Sequence, residues 1–173
     1  MPLSPKPLKP PPVSPQVSLP AAAALTLSGI LLWQLMEYLI HRFLFHAHTV
    51  SYVGITLHFL FHGCHHKYPM DRERLVFPPV PAAVVVAGVY KLMHALLPPP
   101  AALALFAGWG LGYVAYDCLH YAVHSGRPVS SAFLVRDLKR LHMQHHYKDD
   151  SKGYGISTPL YDVVFNTLGR GAL

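Results

Sequence analysis

Apolar residues run almost unbroken through three stretches of the chain, and polar residues gather between and after them. Residues 21–40, AAAALTLSGILLWQLMEYLI, have the length a helix needs to cross a hydrocarbon core about 30 Å thick. Gln34 and Glu37 fall near the end of this stretch, with Trp33 and Tyr38 where an interfacial aromatic belt would lie. Residues 80–97 and 101–116 form a second apolar pair. Between them stand Pro98, Pro99 and Pro100, which a helix interior would not tolerate, so the pair reads as a helical hairpin. Its second arm is expected to continue as helix towards His124. The pattern predicts an all-α integral membrane protein with spans at about 21–40, 80–97 and 101–122, carrying a helical cap on one side.

Ahead of these spans, residues 1–20 hold eight of the 17 prolines and no aromatic residue, which prevents a helix and predicts an extended, disordered leader. The remaining residues, 21–173, read as one domain. At 52% hydrophobic and 13% charged, the composition departs from an ordinary water-soluble domain, where about a quarter of residues are charged. Two cysteines, Cys64 and Cys118, form no framework and no C-x-x-C pair. The net charge of +6 would suit nucleic acid, but its distribution argues otherwise. If the first helix exits near His41 and the hairpin enters and returns, residues 42–77 and 124–173 share one face of the membrane. That face carries Arg42, Lys67, Arg72, Arg74, Arg127, Arg136, Lys139, Arg140, Lys148, Lys152 and Arg170, 11 of the 14 basic residues, and the positive-inside rule makes it cytosolic. No nucleic-acid-binding motif accompanies the charge.

The same face carries the chemistry. Of 13 histidines, all but His94 lie in or beside four short segments: H-R-F-L-F-H (His41, His46), H-F-L-F-H-G-C-H-H (His58, His62, His65, His66), H-Y-A-V-H (His120, His124) and H-M-Q-H-H (His142, His145, His146). Residues three or four apart share a helix face, so each of the last three segments aims imidazoles at a common point. Ten imidazoles exceed what one ion takes, and two metals close together fit the number better. Neutral nitrogen donors suit a redox metal or zinc and contrast with carboxylate-rich di-iron bundles. Glu37 lies four residues before His41 and Asp117 three before His120, spacings from which each could accept the other ring N–H of a ligand. A plain helix-end or ion-pair role is equally open to both. His58 is assigned as a support for His62 rather than an eleventh ligand, and His48 and His94 as incidental.

The strings H-R-F-L-F-H, H-G-C-H-H-K-Y-P-M-D-R-E-R-L-V-F-P-P, G-Y-V-A-Y-D-C-L-H-Y-A-V-H-S-G and L-H-M-Q-H-H, followed by K-G-Y-G-I-S-T-P-L-Y-D-V-V-F-N-T, resemble the fatty acid 2-hydroxylases of the membrane fatty acid hydroxylase and sterol desaturase superfamily. The resemblance runs from about Leu31 to Leu168. It implies that His41, His46, His62, His65, His66, His120, His124, His142, His145 and His146 hold a dimetal centre, with iron expected in the working enzyme and zinc able to occupy the same place. It further implies O2 as co-substrate, a very-long-chain fatty acyl or ceramide substrate hydroxylated at C2, and a multi-pass endoplasmic reticulum location. Tyr113, Tyr116 and Asp117 match a motif placed near the substrate and are the catalytic candidates. The chain shows no His-Pro-Gly-Gly string of a fused cytochrome b5 module, so a separate cytochrome b5 is the implied electron donor. Two rival readings stay open: a sterol desaturase or carotenoid hydroxylase of the same superfamily, and a non-catalytic zinc-binding membrane protein.

Overall fold

The computed structural model describes residues 16–125 and 133–169. The leader to residue 15, together with Arg127 and Arg170, lies outside the described residues. Every regular element among them is helical: α1 Leu19–Leu39, α2 Tyr52–His58, α3 Cys64–Lys67, α4 Pro79–Leu96, α5 Pro99–Ser125, α6 Phe133–Tyr147 and α7 Leu160–Val164. Three helical stretches are long and apolar enough to cross a membrane, Leu19–Phe45, Arg72–Leu96 and Pro99–Ser125. The hairpin turn is tighter than the triple proline suggests, because Pro99 and Pro100 sit in the first turn of α5. There a missing N–H costs nothing, since the first backbone donors of a helix have no partner in any case.

Close contact between α1 and α5 sets the frame. A Cβ at Gly108 would stand 1.9 Å from the Thr26 carbonyl oxygen, and one at Gly29 would stand 2.2 Å from that of Leu105, so the two backbones pass with no room for a side chain. Small residues that let helices approach this closely are a usual device where lipid supplies no hydrophobic drive between helices. The Thr26 hydroxyl donates across the contact to Ala104 O at 3.3 Å. Lower in the bundle, Trp33 and Trp109 meet edge to face at 5.2 Å, with Met93 of α4 and Ala102 buried beside them. On the polar side α6 packs on α5 through Leu138 and Val135 against Ala122 and Val123.

Two helices change their winding where they carry histidines. α1 continues as a π-helical turn over Ile40–Phe45, and α2 continues through a π turn over Phe59–Gly63 into α3. On a regular α-helix, His41 and His46 would point about 140° apart. The π turn instead joins them by a backbone hydrogen bond, His46 N to His41 O at 3.1 Å, and brings their ring centroids to 5.1 Å. Single π turns of this kind commonly mark functional positions.

The variant Gly108→Ala forces a methyl group into the Thr26 backbone and is expected to destabilise the chain by about 1–3 kcal/mol. Thermal unfolding in detergent micelles measures it, and an unchanged midpoint would contradict the close approach described.

Candidate metal centre

The ten histidines of the four segments divide into two groups of five. His41, His46, His62, His66 and His145 form one, and His65, His120, His124, His142 and His146 the other, with the ligand atoms within each group no more than 4.8 Å apart. Helix α6 serves both, sending His142 and His146 to the second group and His145 to the first. The segment ending in α3 does the same, with His65 in the second group and His62 and His66 in the first. The groups abut where the rings of His66 and His146 stack at 4.2 Å.

Within each group the Nε2 atoms approach one another. In the first, His41 to His62 is 3.1 Å, His62 to His46 3.2 Å and His145 to His66 3.2 Å. In the second, His120 to His65 and His65 to His146 are both 3.1 Å, His146 to His142 is 3.0 Å and His142 to His124 is 2.9 Å. Backbone carbonyls fix what these nitrogens are. His41 Nδ1 donates to Tyr154 O at 2.6 Å, His120 Nδ1 to Leu75 O at 2.8 Å and His145 Nδ1 to Lys152 O at 2.7 Å. A carbonyl only accepts, so these three rings carry their proton on Nδ1 and present a bare Nε2 lone pair to their neighbours.

Converging ring nitrogens at this spacing describe a candidate cation site. Two nitrogens each about 2.1 Å from one ion lie about 3.0–3.4 Å apart at the angles of octahedral or tetrahedral coordination. The observed separations fall in or beside that interval, and the donor set, five neutral imidazoles in each group, suits a first-row transition metal. Seven of the rings, those of His41, His62, His65, His120, His124, His142 and His145, are buried, although buried polar rings are costly without a partner.

Several expected contacts are replaced by others. Glu37 does not support His41. Its carboxylate instead accepts Ile156 N at 2.6 Å, Ser157 N at 2.8 Å and the Ser157 hydroxyl, because the π turn begins at Ile40, between the two residues. Asp117 does not support His120 either, since helical side chains lean towards the N-terminus and Asp117 lies beside Tyr113, one turn earlier. His58 Nδ1 has no hydrogen-bond partner among the described residues, and the ring faces Gly63 and a cleft shared with His46 and His66. His48 is exposed, and His94 lies against the Tyr90 ring at 4.3 Å, away from both groups. The groups that do orient His41, His120 and His145, the carbonyls of Tyr154, Leu75 and Lys152, escaped the sequence reading, because a main-chain oxygen has no residue signature.

An apolar groove opens between α1, α4 and α5 and ends at His41. Trp33, Val85, Trp109, Tyr113 and Tyr116 wall it. At its polar end Phe45, Phe77 and Tyr116 are shared with a second space that reaches His62, His65 and His120. Tyr116 also stacks on the His120 ring at 5.8 Å. Of the three catalytic candidates, Tyr113 and Tyr116 face the groove, and Asp117 stands behind Tyr113.

The sequence pattern of fatty acid hydroxylases matches residues 26–167. The chain belongs to the fatty acid hydroxylase family. A dihydroceramide fatty acyl 2-hydroxylase of Arabidopsis thaliana is 49% identical over 140 residues, covering 81% of this chain and 58% of that protein. A fatty acid 2-hydroxylase of Rattus norvegicus is 51% identical over 142 residues, covering 81% of this chain and 38% of that protein. A solved structure of full-length Scs7p, in which only the hydroxylase domain is visible, superposes with a TM-score of 0.78 at 43% identity, covering 86% of this chain and 56% of that one. The chain thus spans roughly two fifths to three fifths of the length of the curated relatives it matches.

Burial, reinforced by neighbouring imidazoles, pushes the metal-free rings below their ordinary value of 6.5, to about 3 in His46 and His66 and to about 2 in His65. His62, His142 and His146 are lowered for the same reason. The unfolded chain therefore takes up protons near pH 6.5 that the folded chain refuses until far lower pH. The metal-free protein should keep its full stability above about pH 6.5 and lose it progressively as pH falls below that value. Melting of chelator-treated protein between pH 8 and pH 4.5 tests this, and a midpoint independent of pH would refute it.

Proposed function

We propose that this chain hydroxylates C2 of long or very long fatty acyl groups, using O2 and two metal ions held by the ten clustered histidines. The observation that carries the reading is the meeting of two five-imidazole groups with the polar end of an apolar, bilayer-facing groove. The names of the relatives support the substrate class. Residues 21–173 act as the hydroxylase domain, and iron is the working metal. In such a site the bound metal and O2 supply the oxidising power that an unactivated C–H bond requires. One oxygen atom enters the product and the other leaves as water, with two electrons and two protons drawn from outside the chain.

The protein's own part is placement. The groove aligns the acyl chain so that its C2 end meets Tyr116 and the histidines, while Phe45 and Phe77 keep water from the junction. Tyr113 and Tyr116 contact the substrate near its polar end, and Asp117 orients Tyr113. The site faces the cytosol from the endoplasmic reticulum membrane, the side where basic residues collect. A separate cytochrome b5, with an acidic surface suited to those residues, delivers the electrons.

Expressed in a cell lacking the activity, the chain should produce 2-hydroxy fatty acids detectable by mass spectrometry, and His62→Ala and His146→Ala should abolish them at unchanged protein level. No 2-hydroxy product from fully metal-loaded wild type would defeat the reading in favour of a rigid sterol or carotenoid substrate, or of metal binding without catalysis. Val85→Trp, which fills the groove from α4, should cut product formation at least tenfold while leaving metal content unchanged; equal loss of metal would show that the groove is not a separate substrate site.

A further inference from the structure

The two histidine groups are supported in different ways. In the first, His41 and His145 both donate to carbonyls of one short strap, Tyr154 O and Lys152 O. In the second, His120 alone is held by a carbonyl, and Nδ1 of His65, His124, His142 and His146 has no hydrogen-bond partner among the described residues. Helix packing rather than main-chain oxygen orients that group.

Asp162, only 1% exposed, holds the strap. Its Oδ1 accepts Tyr154 N at 2.9 Å and its Oδ2 accepts Gly155 N at 2.7 Å. Gly155 N–H and Tyr154 C=O belong to the same peptide unit. One line of hydrogen bonds therefore runs from the Asp162 carboxylate through that peptide to His41 Nδ1–H, and His41 Nε2 faces the other rings of its group. Hydrogen bonds in series polarise one another where water is excluded, so an anion on the N–H side makes the carbonyl a stronger acceptor and the imidazole a stronger donor to a cation. A carboxylate bonded directly to a metal-ligating histidine has this effect in many sites. Here the peptide is interposed, and its geometry is locked. Gly153 adopts φ +71°, and a Cβ at Gly155 would stand 2.1 Å from Thr158 O. Gly153 N also donates to Thr167 O at 2.8 Å.

The geometry points to Asp162 as a carboxylate that serves the first histidine group, acting on His41 through the Tyr154–Gly155 peptide and having no counterpart in the second group among the described residues. Asp162 is thus a positioning residue that makes the two metal positions unequal. The inference rests on the dimetal reading above.

Co2+ titrated into the metal-free full chain and followed by visible absorption tests it. Wild type should take up two equivalents, and His41→Ala identifies which of them belongs to the first group. Asp162→Asn keeps the shape of the side chain and removes its charge. It should weaken that equivalent 10- to 100-fold and leave the other within twofold. Thr167→Val removes the hydroxyl that donates to Asp162 Oδ1 at 2.8 Å but spares the charge, and both equivalents should stay within threefold of wild type. If Asp162→Asn weakens both equivalents alike, or neither, or if Thr167→Val matches its effect, the strap acts through packing and the inference falls. Fewer than two equivalents in wild type would instead bring down the dimetal reading on which it stands.

Discussion

Three imidazoles with their protons committed to backbone carbonyls turn bare nitrogen lone pairs towards neighbouring rings about 3 Å away. Where the facing ring also carries its proton on Nδ1 the two lone pairs repel, and a shared cation is what makes such an arrangement favourable. The rest of the molecule answers this constraint. Helices α5 and α6 are held in register by Ala122, Val123, Val135 and Leu138, which keeps His120, His124, His142 and His146 facing one another. The close passage of α1 over α5 at Gly29 and Gly108 sets the height at which His41 arrives.

The apolar half of the protein serves the same centre from beneath. A groove between α1, α4 and α5 runs through that half to His41 and Tyr116. Its aromatic lining, Trp33, Trp109 and Tyr113, also belongs to the packed interior of the bundle, so the wall of the groove is as rigid as the core that supports it. A rigid wall suits the chemistry proposed, in which the protein acts by placing one carbon atom and excluding solvent.

Much of the site was legible because histidine is rarely gathered at a membrane boundary without a ligand, and because three- and four-residue spacings translate directly into shared helix faces. That spacing gathered His62, His65 and His66, and likewise His142, His145 and His146, although each triplet divides between the two groups. The pair His41 and His46 is different: five residues do not share an α-helical face, and only the π turn at Ile40–Phe45 brings them together. The carboxylates show the opposite failure. Glu37 and Asp117 had inviting spacings, yet Glu37 bonds the strap at Ile156 and Ser157, 119 and 120 residues away along the chain. Asp162, which the spacing argument passed over, accepts Tyr154 N and Gly155 N of the same strap.

The sequence by itself determined the helical class, the three apolar stretches, and which ten histidines come together. These follow from hydrophobic length, from helical periodicity and from residue chemistry, all of which are local. Tertiary structure decided how ten histidines divide into two groups of five, which carbonyls fix the tautomers of three of them, and which backbone amides the buried carboxylates accept. Those choices are made by main-chain atoms and by contacts between segments up to 120 residues apart, where no local pattern constrains the partner.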